Sequence, residues 1–104
     1  MTFDQYDRLT NTTCKDSIRG NTSYFALGLN GEAGEVGELF KKAMRDGHKV
    51  NRGEAMKELG DVLWYVSQLA QAVGSSLEEV ADWNISKLQD RKIRDVIGGS
   101  GDDR

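Results

Sequence analysis

The sequence predicts an all-α fold, a helical bundle of about four helices with a central antiparallel pair, and three features carry that expectation. Proline is absent, so nothing in the chain breaks a helix covalently. The glycines gather between Gly28 and Gly60 and at Gly98, Gly99 and Gly101, which suits long helices joined by glycine-containing turns. Apolar residues recur at three- and four-residue spacing, with side chains that cap helices just ahead of them. At 104 residues and 38% hydrophobic content the chain forms a single domain, read as 1–97 with a flexible glycine-rich tail over 98–104. Its core is thin for that length, so the bundle is expected to be completed by homo-oligomerisation.

The elements follow in order. Phe3, Tyr6 and Leu9 at helical spacing predict a weak first helix over about Phe3 to Ser17. Oxygens in the stretch Gly20 to Ser23 offer caps for a second helix that runs to about Arg45 and stops at Asp46-Gly47. Its Leu29, Ala33, Val36, Phe40 and Ala43 predict one packed face. Asn51, three residues before Glu54, opens a third helix over about Gly53 to Val73, with a seam of Met56, Leu59, Leu63, Val66, Ala70 and Val73. Gly74 ends it, and Ser76 with Glu79 opens a fourth helix that closes near Arg91 or Ile93.

Charge and composition narrow the function. The net charge is −3 with Lys and Arg scattered, so an extended nucleic-acid backbone has little to bind. No segment reaches the roughly 20 apolar residues that span a bilayer, and no membrane role is expected. A single cysteine, Cys14, and an N-terminus without a signal-peptide pattern point to the cytoplasm.

Two acidic clusters stand out: Glu32 and Glu35, with Glu38 one turn on, and Glu58 and Asp61, with Glu54 one turn before. Acids three residues apart are neighbours on a helix and repel. At ~100° per residue, both pairs lie to the same rotational side of their helix's apolar seam. An antiparallel pair packed seam to seam has a two-fold axis normal to its plane, so all four carboxylates emerge on one side. Such a group needs a hard divalent cation, Mg²⁺ or Mn²⁺, to neutralise it. A solvated helix face is the ordinary reading of either cluster alone. The pairing, with Gly34 and Gly60 inside the motifs suggesting close approach of a backbone or a ligand, argues against it. Carboxylate-bridged di-iron bundles use Glu-x-x-His pairs, whereas the one histidine, His48, lies in a turn. Cys14 has no histidine in its helix to activate it and reads as a small buried hydrophobe.

The stretches Leu27-Gly28-Leu29-Asn30-Gly31-Glu32-Ala33-Gly34-Glu35-Val36-Gly37-Glu38-Leu39 and Glu58-Leu59-Gly60-Asp61-Val62-Leu63-Trp64, with Asn84, Lys87 and Arg91 on the fourth helix, resemble the MazG-like all-α nucleoside triphosphate pyrophosphohydrolases. The resemblance covers about Tyr24 to Arg91. It implies cleavage of a (d)NTP between its α and β phosphates, with the metal on Glu32, Glu35, Glu58 and Asp61, and assembly as a homodimer or homotetramer. Gly31 stands where many relatives carry a further acid, which leaves the number of metal ions open. On position along the stripe, Glu35 or Glu38 accepts the proton of the attacking water. Lys87 and Arg91 are expected to hold phosphates and Asn84 sugar or base. Trp64, Tyr65 and Trp83 read by default as packing residues, stacking on a base being the alternative for Tyr65 because it shares the side of Glu58 and Asp61. A non-catalytic metal- and nucleotide-binding regulatory module is the alternative function. The tail with Asp102, Asp103 and Arg104 is a candidate lid.

Overall fold

The computed structural model describes residues 1–95 together with Gly98, Gly99 and Gly101. The described residues form four α-helices and no strand: α1 (Phe3–Thr12), α2 (Thr22–Asp46), α3 (Arg52–Ala72) and α4 (Leu77–Ile93), with a 3-10 turn at Asp16–Ile18 between α1 and α2. The expected lid residues Asp102, Asp103 and Arg104, and with them most of the tail expected over 98–104, lie outside the described residues.

Local chemistry sets the helix ends. Thr2 and Gln5 form a reciprocal capping box at the start of α1. Asn51 caps α3 by accepting the Glu54 N–H at 3.1 Å, and Ser76 caps α4 by accepting the Glu79 N–H at 3.1 Å, both as the sequence predicts. Asn21 does the same for α2 through the Tyr24 N–H. Gly47, at φ 70°, takes the left-handed conformation that stops α2. The first helix is shorter than expected and ends at Thr12 rather than near Ser17. The Thr10, Thr12 and Thr13 hydroxyls donate to carbonyls three residues back at 2.6–3.0 Å, the local competition that makes threonine runs poor helix interiors.

Helices α2 and α3 form the central antiparallel pair, and α1 and α4 pack on α3. The α1–α3 contact is polar. Asp7, only 7% exposed, accepts the Ser67 hydroxyl at 2.6 Å and the Leu77 backbone N–H at 3.1 Å. Its charge thereby sits at the N-terminus of α4, where a helix dipole favours an anion. Around it Gln68 donates to Thr10 and Asn11, and Asn11 donates to Gln71, at 2.9–3.0 Å. One aspartate thus ties α1, α3 and α4 together.

The face through which α3 meets α2 differs from the expected seam. Of the expected seam residues, Ala43 and Ala70 are buried and Leu29, Val36 and Val66 half-buried, whereas Met56, Leu59, Leu63 and Val73 on α3 and Ala33 and Phe40 on α2 are exposed; Phe25, outside the expected seam, is fully buried. The aromatic residues are the reason. Gly28 lies directly under the Tyr65 ring, which occupies the place of a side chain there. Phe25 packs edge-on to Trp64 at 6.1 Å. These contacts turn the aromatic positions of α3, rather than its leucines, toward α2. Gly34 and Gly60 have nothing within 4 Å of where a methyl would stand, so no close approach within the chain requires them.

Two stability measurements test this account. In urea denaturation, Asp7→Ala is expected to lose about 3 kcal/mol, because it leaves a buried hydroxyl and a helix-terminal N–H without a charged acceptor. Asp16→Ala removes only an exposed pair with Arg19 and should lose less than about 1 kcal/mol. Gly28→Ala should lower Tm although alanine is the better helix former by ~1 kcal/mol, whereas Gly34→Ala should raise it. The opposite order would mean that Tyr65 does not set the spacing of the helix pair.

Candidate metal centre

Because α2 and α3 run antiparallel with Gly28 against Tyr65, the residues one turn further along α2 face those one turn back on α3. This register brings Glu32 to Glu58 and Asp61. One carboxylate oxygen from each lies within 4.8 Å of the others. Glu32 and Glu58 are half-buried and Asp61 is exposed. Glu32 and Asp61 open into a cavity of about 400 Å³ shared with Thr13, Trp64 and Tyr65.

The electrostatics follow from that crowding. Partial burial, then the charges of Asp61, Glu58 and Glu35, push the Glu32 carboxyl above its ordinary value. A raised folded-state pKa means that protonated Glu32 favours the fold. That contribution is full below the unfolded value and is lost as pH rises through the raised one. Among the described residues no Lys or Arg forms an ion pair with any of the three acids; the exposed ion pairs lie elsewhere.

The donor set fits a hard divalent cation. Three carboxylate oxygens with no nitrogen or sulfur among them are the ligands such ions prefer. An ion with bonds of ~2.1 Å spans about 4.2 Å between opposite oxygens, so small rotations of exposed side chains close the group around it.

The remaining residues singled out in the sequence divide. Glu35 is exposed and lies outside the trio, although its charge acts on Glu32. Glu38 lies outside the trio and accepts a hydrogen bond from the Lys41 ammonium at 2.7 Å, which holds its carboxyl below the ordinary value. Tyr65 lines the acidic cavity. Asn84 and Lys87 line a different and larger cavity of about 830 Å³, with Trp83 and Val80. Arg91 is buried at 3% exposure in α4.

Other residues at the site were not assigned to it from the sequence. The Trp64 indole N–H donates to the Thr13 hydroxyl at 2.7 Å, fixing the end of α1 against α3 and the indole at the cavity wall. Trp64 and Tyr65 meet edge-to-face at 5.0 Å, and Tyr24 stands 6.4 Å from Tyr65. Burial, followed by its hydrogen bond with Tyr24, raises the Tyr65 phenol, and Glu32 and Asp61 add to the effect. Burial and the Asp61 charge likewise raise Tyr6. Trp64 had a sequence signal, since three residues after Asp61 is one helical turn. Thr13 and Tyr6 had none, because only the docking of α1 brings them there.

Comparison with known proteins agrees with this geometry. The family model of the MazG nucleotide pyrophosphohydrolase domain matches residues 21–94, which span the acidic helix pair and α4. The chain is 50% identical over 93 residues to the Gene 37 protein of Mycobacterium phage L5, covering 86% of this chain and 81% of the relative, whose name states no activity. No solved structure matches. With three acids converging from α2 and α3 and a family model covering most of its length, the chain belongs to the MazG nucleotide pyrophosphohydrolase domain family.

Proposed function

We propose that this protein hydrolyses a nucleoside triphosphate, releasing the monophosphate and pyrophosphate, in the presence of Mg²⁺ or Mn²⁺. The observation that carries the reading is the meeting of Glu32, Glu58 and Asp61 beside a cavity with an aromatic wall. Membership in the family supports the substrate class, and among the described residues no helix is long and apolar enough to cross a membrane.

Glu32, Glu58 and Asp61 hold the metal, with Glu35 reaching the same ion from the next turn of α2. The bound cation supplies neutralisation of the polyphosphate charge and Lewis acidity at the reacting phosphorus. Everything else falls to the chain. Tyr65 and Trp64 form the wall on which a base stacks, which orients the α-phosphorus toward the acids. Glu35 takes the proton of the attacking water. Glu38 is the weaker candidate for that role, because a carboxylate held by Lys41 binds a proton less readily. Water adds to the α-phosphorus, the bond to the bridging oxygen breaks, and pyrophosphate leaves with that electron pair. Contacts of Lys87 and Arg91 with the phosphates and of Asn84 with sugar or base belong to the same proposal. In one chain Asn84 and Lys87 sit at another cavity, so charge neutralisation beside the acids rests on the metal.

The test is product analysis over the common NTPs and dNTPs with Mg²⁺. Pyrophosphate and monophosphate should form from at least one of them. Asp61→Asn should reduce turnover by about 10²-fold or more while the circular dichroism stays helical. Orthophosphate as the product would exclude this chemistry. Tight nucleotide binding without any product would identify a binding module in place of an enzyme.

A further inference from the structure

Away from the acids, a polar cavity holds a buried acceptor to which nothing donates. The cavity, of about 280 Å³, is lined by Asn11, Arg19, Gly20, Gln68, Gln71 and Ala72, where the end of α1, the entry to α2 and the last turn of α3 meet. It shares no lining residue with the acidic cavity. Gln68 stands two turns beyond Asp61, about 10 Å along the helix axis, with Trp64 in the turn between them.

Gln68 is only 3% exposed. Both hydrogens of its amide nitrogen are used, one on the Thr10 hydroxyl and one on the Asn11 side-chain oxygen, each at 2.9 Å. What it presents to the cavity is therefore its carbonyl oxygen, Oε1. Among the described residues nothing donates to that oxygen, and it is not sealed inside the protein. An acceptor so enclosed is costly unless a donor reaches it.

The same cavity has donors to offer. Arg19 is anchored by Nε on Asp16 and by Nη2 on Asp16 and on the Cys14 and Asn11 carbonyls, at 3.0–3.4 Å. Its other terminal nitrogen, Nη1, carries N–H groups that no described residue accepts. The Asn11 amide donates one hydrogen to Gln71 at 3.0 Å and keeps a second.

The surroundings favour an anion. The α1 carbonyls that would repel one are covered by Arg19, and the Leu69, Ala70 and Gln71 carbonyls at the end of α3 accept the Val73, Ser75 and Gly74 N–H groups. Gly20 leads into the N-terminus of α2, the end of a helix that attracts negative charge. Of the carboxylates bonded to these residues or their neighbours, Asp16 is 97% exposed and lies on the anchored edge of Arg19, and Asp7 is committed to Ser67 and Leu77.

We infer that this cavity binds a phosphate that carries a proton. Its ionised oxygens accept from Arg19 Nη1 and the Asn11 amide, and its P–O–H group donates to Gln68 Oε1. Sulfate has no hydrogen to give at neutral pH and leaves that oxygen bare, whereas orthophosphate and pyrophosphate each keep one. Both are small enough for the cavity.

Isothermal titration of the full chain at neutral pH, with a chelator present so that the acidic cluster holds no metal, reads this site independently of any hydrolase activity. Orthophosphate and pyrophosphate are the probes, and the tighter of the two identifies the occupant. Saturable binding of at least one is expected, with sulfate at equal ionic strength about tenfold weaker or more. Gly20 has a φ of 75° and open space where a side chain would stand, a conformation that aspartate tolerates. Gly20→Asp should therefore weaken phosphate binding at least about tenfold by adding a like charge, with the helical circular dichroism unchanged. Arg19→Gln should do the same from the opposite wall. Equal binding of sulfate and phosphate, binding indifferent to both substitutions, or no binding of either probe at millimolar concentration would overturn the inference.

Discussion

Three carboxylates lie within 4.8 Å of one another on two packed helices, where like charges repel, and the packing of the helix pair fixes the backbone positions that bring them together. Glu32 is fixed by the register of α2, Glu58 and Asp61 by that of α3, and the register is set where Tyr65 lies on Gly28. The helix backbones that carry the acids are held in register by the Tyr65 ring on Gly28 and by the contacts of Trp64 with Phe25 and Thr13. The fold therefore opposes the repulsion with packing at one end of the contact. The raised proton affinity of Glu32 comes from partial burial and from the charges of Asp61, Glu58 and Glu35.

The two faces of the α2–α3 pair have opposite chemistry. One carries the acids and opens into a cavity walled by Trp64 and Tyr65; the other carries Phe40, Met44, Met56, Leu59 and Leu63 with no charge among them. Each helix is amphipathic in the usual sense, its acids on one side and its exposed apolar side chains on another. The chain's own core is small in consequence, and much of its cohesion comes from the polar joint at Asp7, which closes α1, α3 and α4 onto one another.

Features determined by residues near one another in sequence were legible, and features determined by docking were not. The caps at Asn51 and Ser76 act over three residues, so both helix starts could be read directly. The pairing of the acids across two helices depends only on helical periodicity and antiparallel packing, and Glu32, Glu58 and Asp61 meet accordingly; Glu35 stands just outside them. Periodicity identified Leu59 and Leu63 as apolar seam positions but cannot say what covers them, and among the described residues both remain exposed. Asp7 escaped notice because a buried polar joint has no apolar pattern. That joint in turn governs where α4 lies, which is why the cavity lined by Asn84 and Lys87 differs from the one beside the acids.

The central claim is that Glu32, Glu58 and Asp61 together bind a divalent cation, and a titration of the metal-free protein with Mn²⁺, followed by the electron paramagnetic resonance of the free ion, addresses it most directly. Saturable uptake by wild type at neutral pH, lost in Glu58→Gln with the helical content unchanged, is the expected result. Uptake that persists undiminished in Glu58→Gln, or no uptake by wild type at any concentration short of precipitation, would contradict the account.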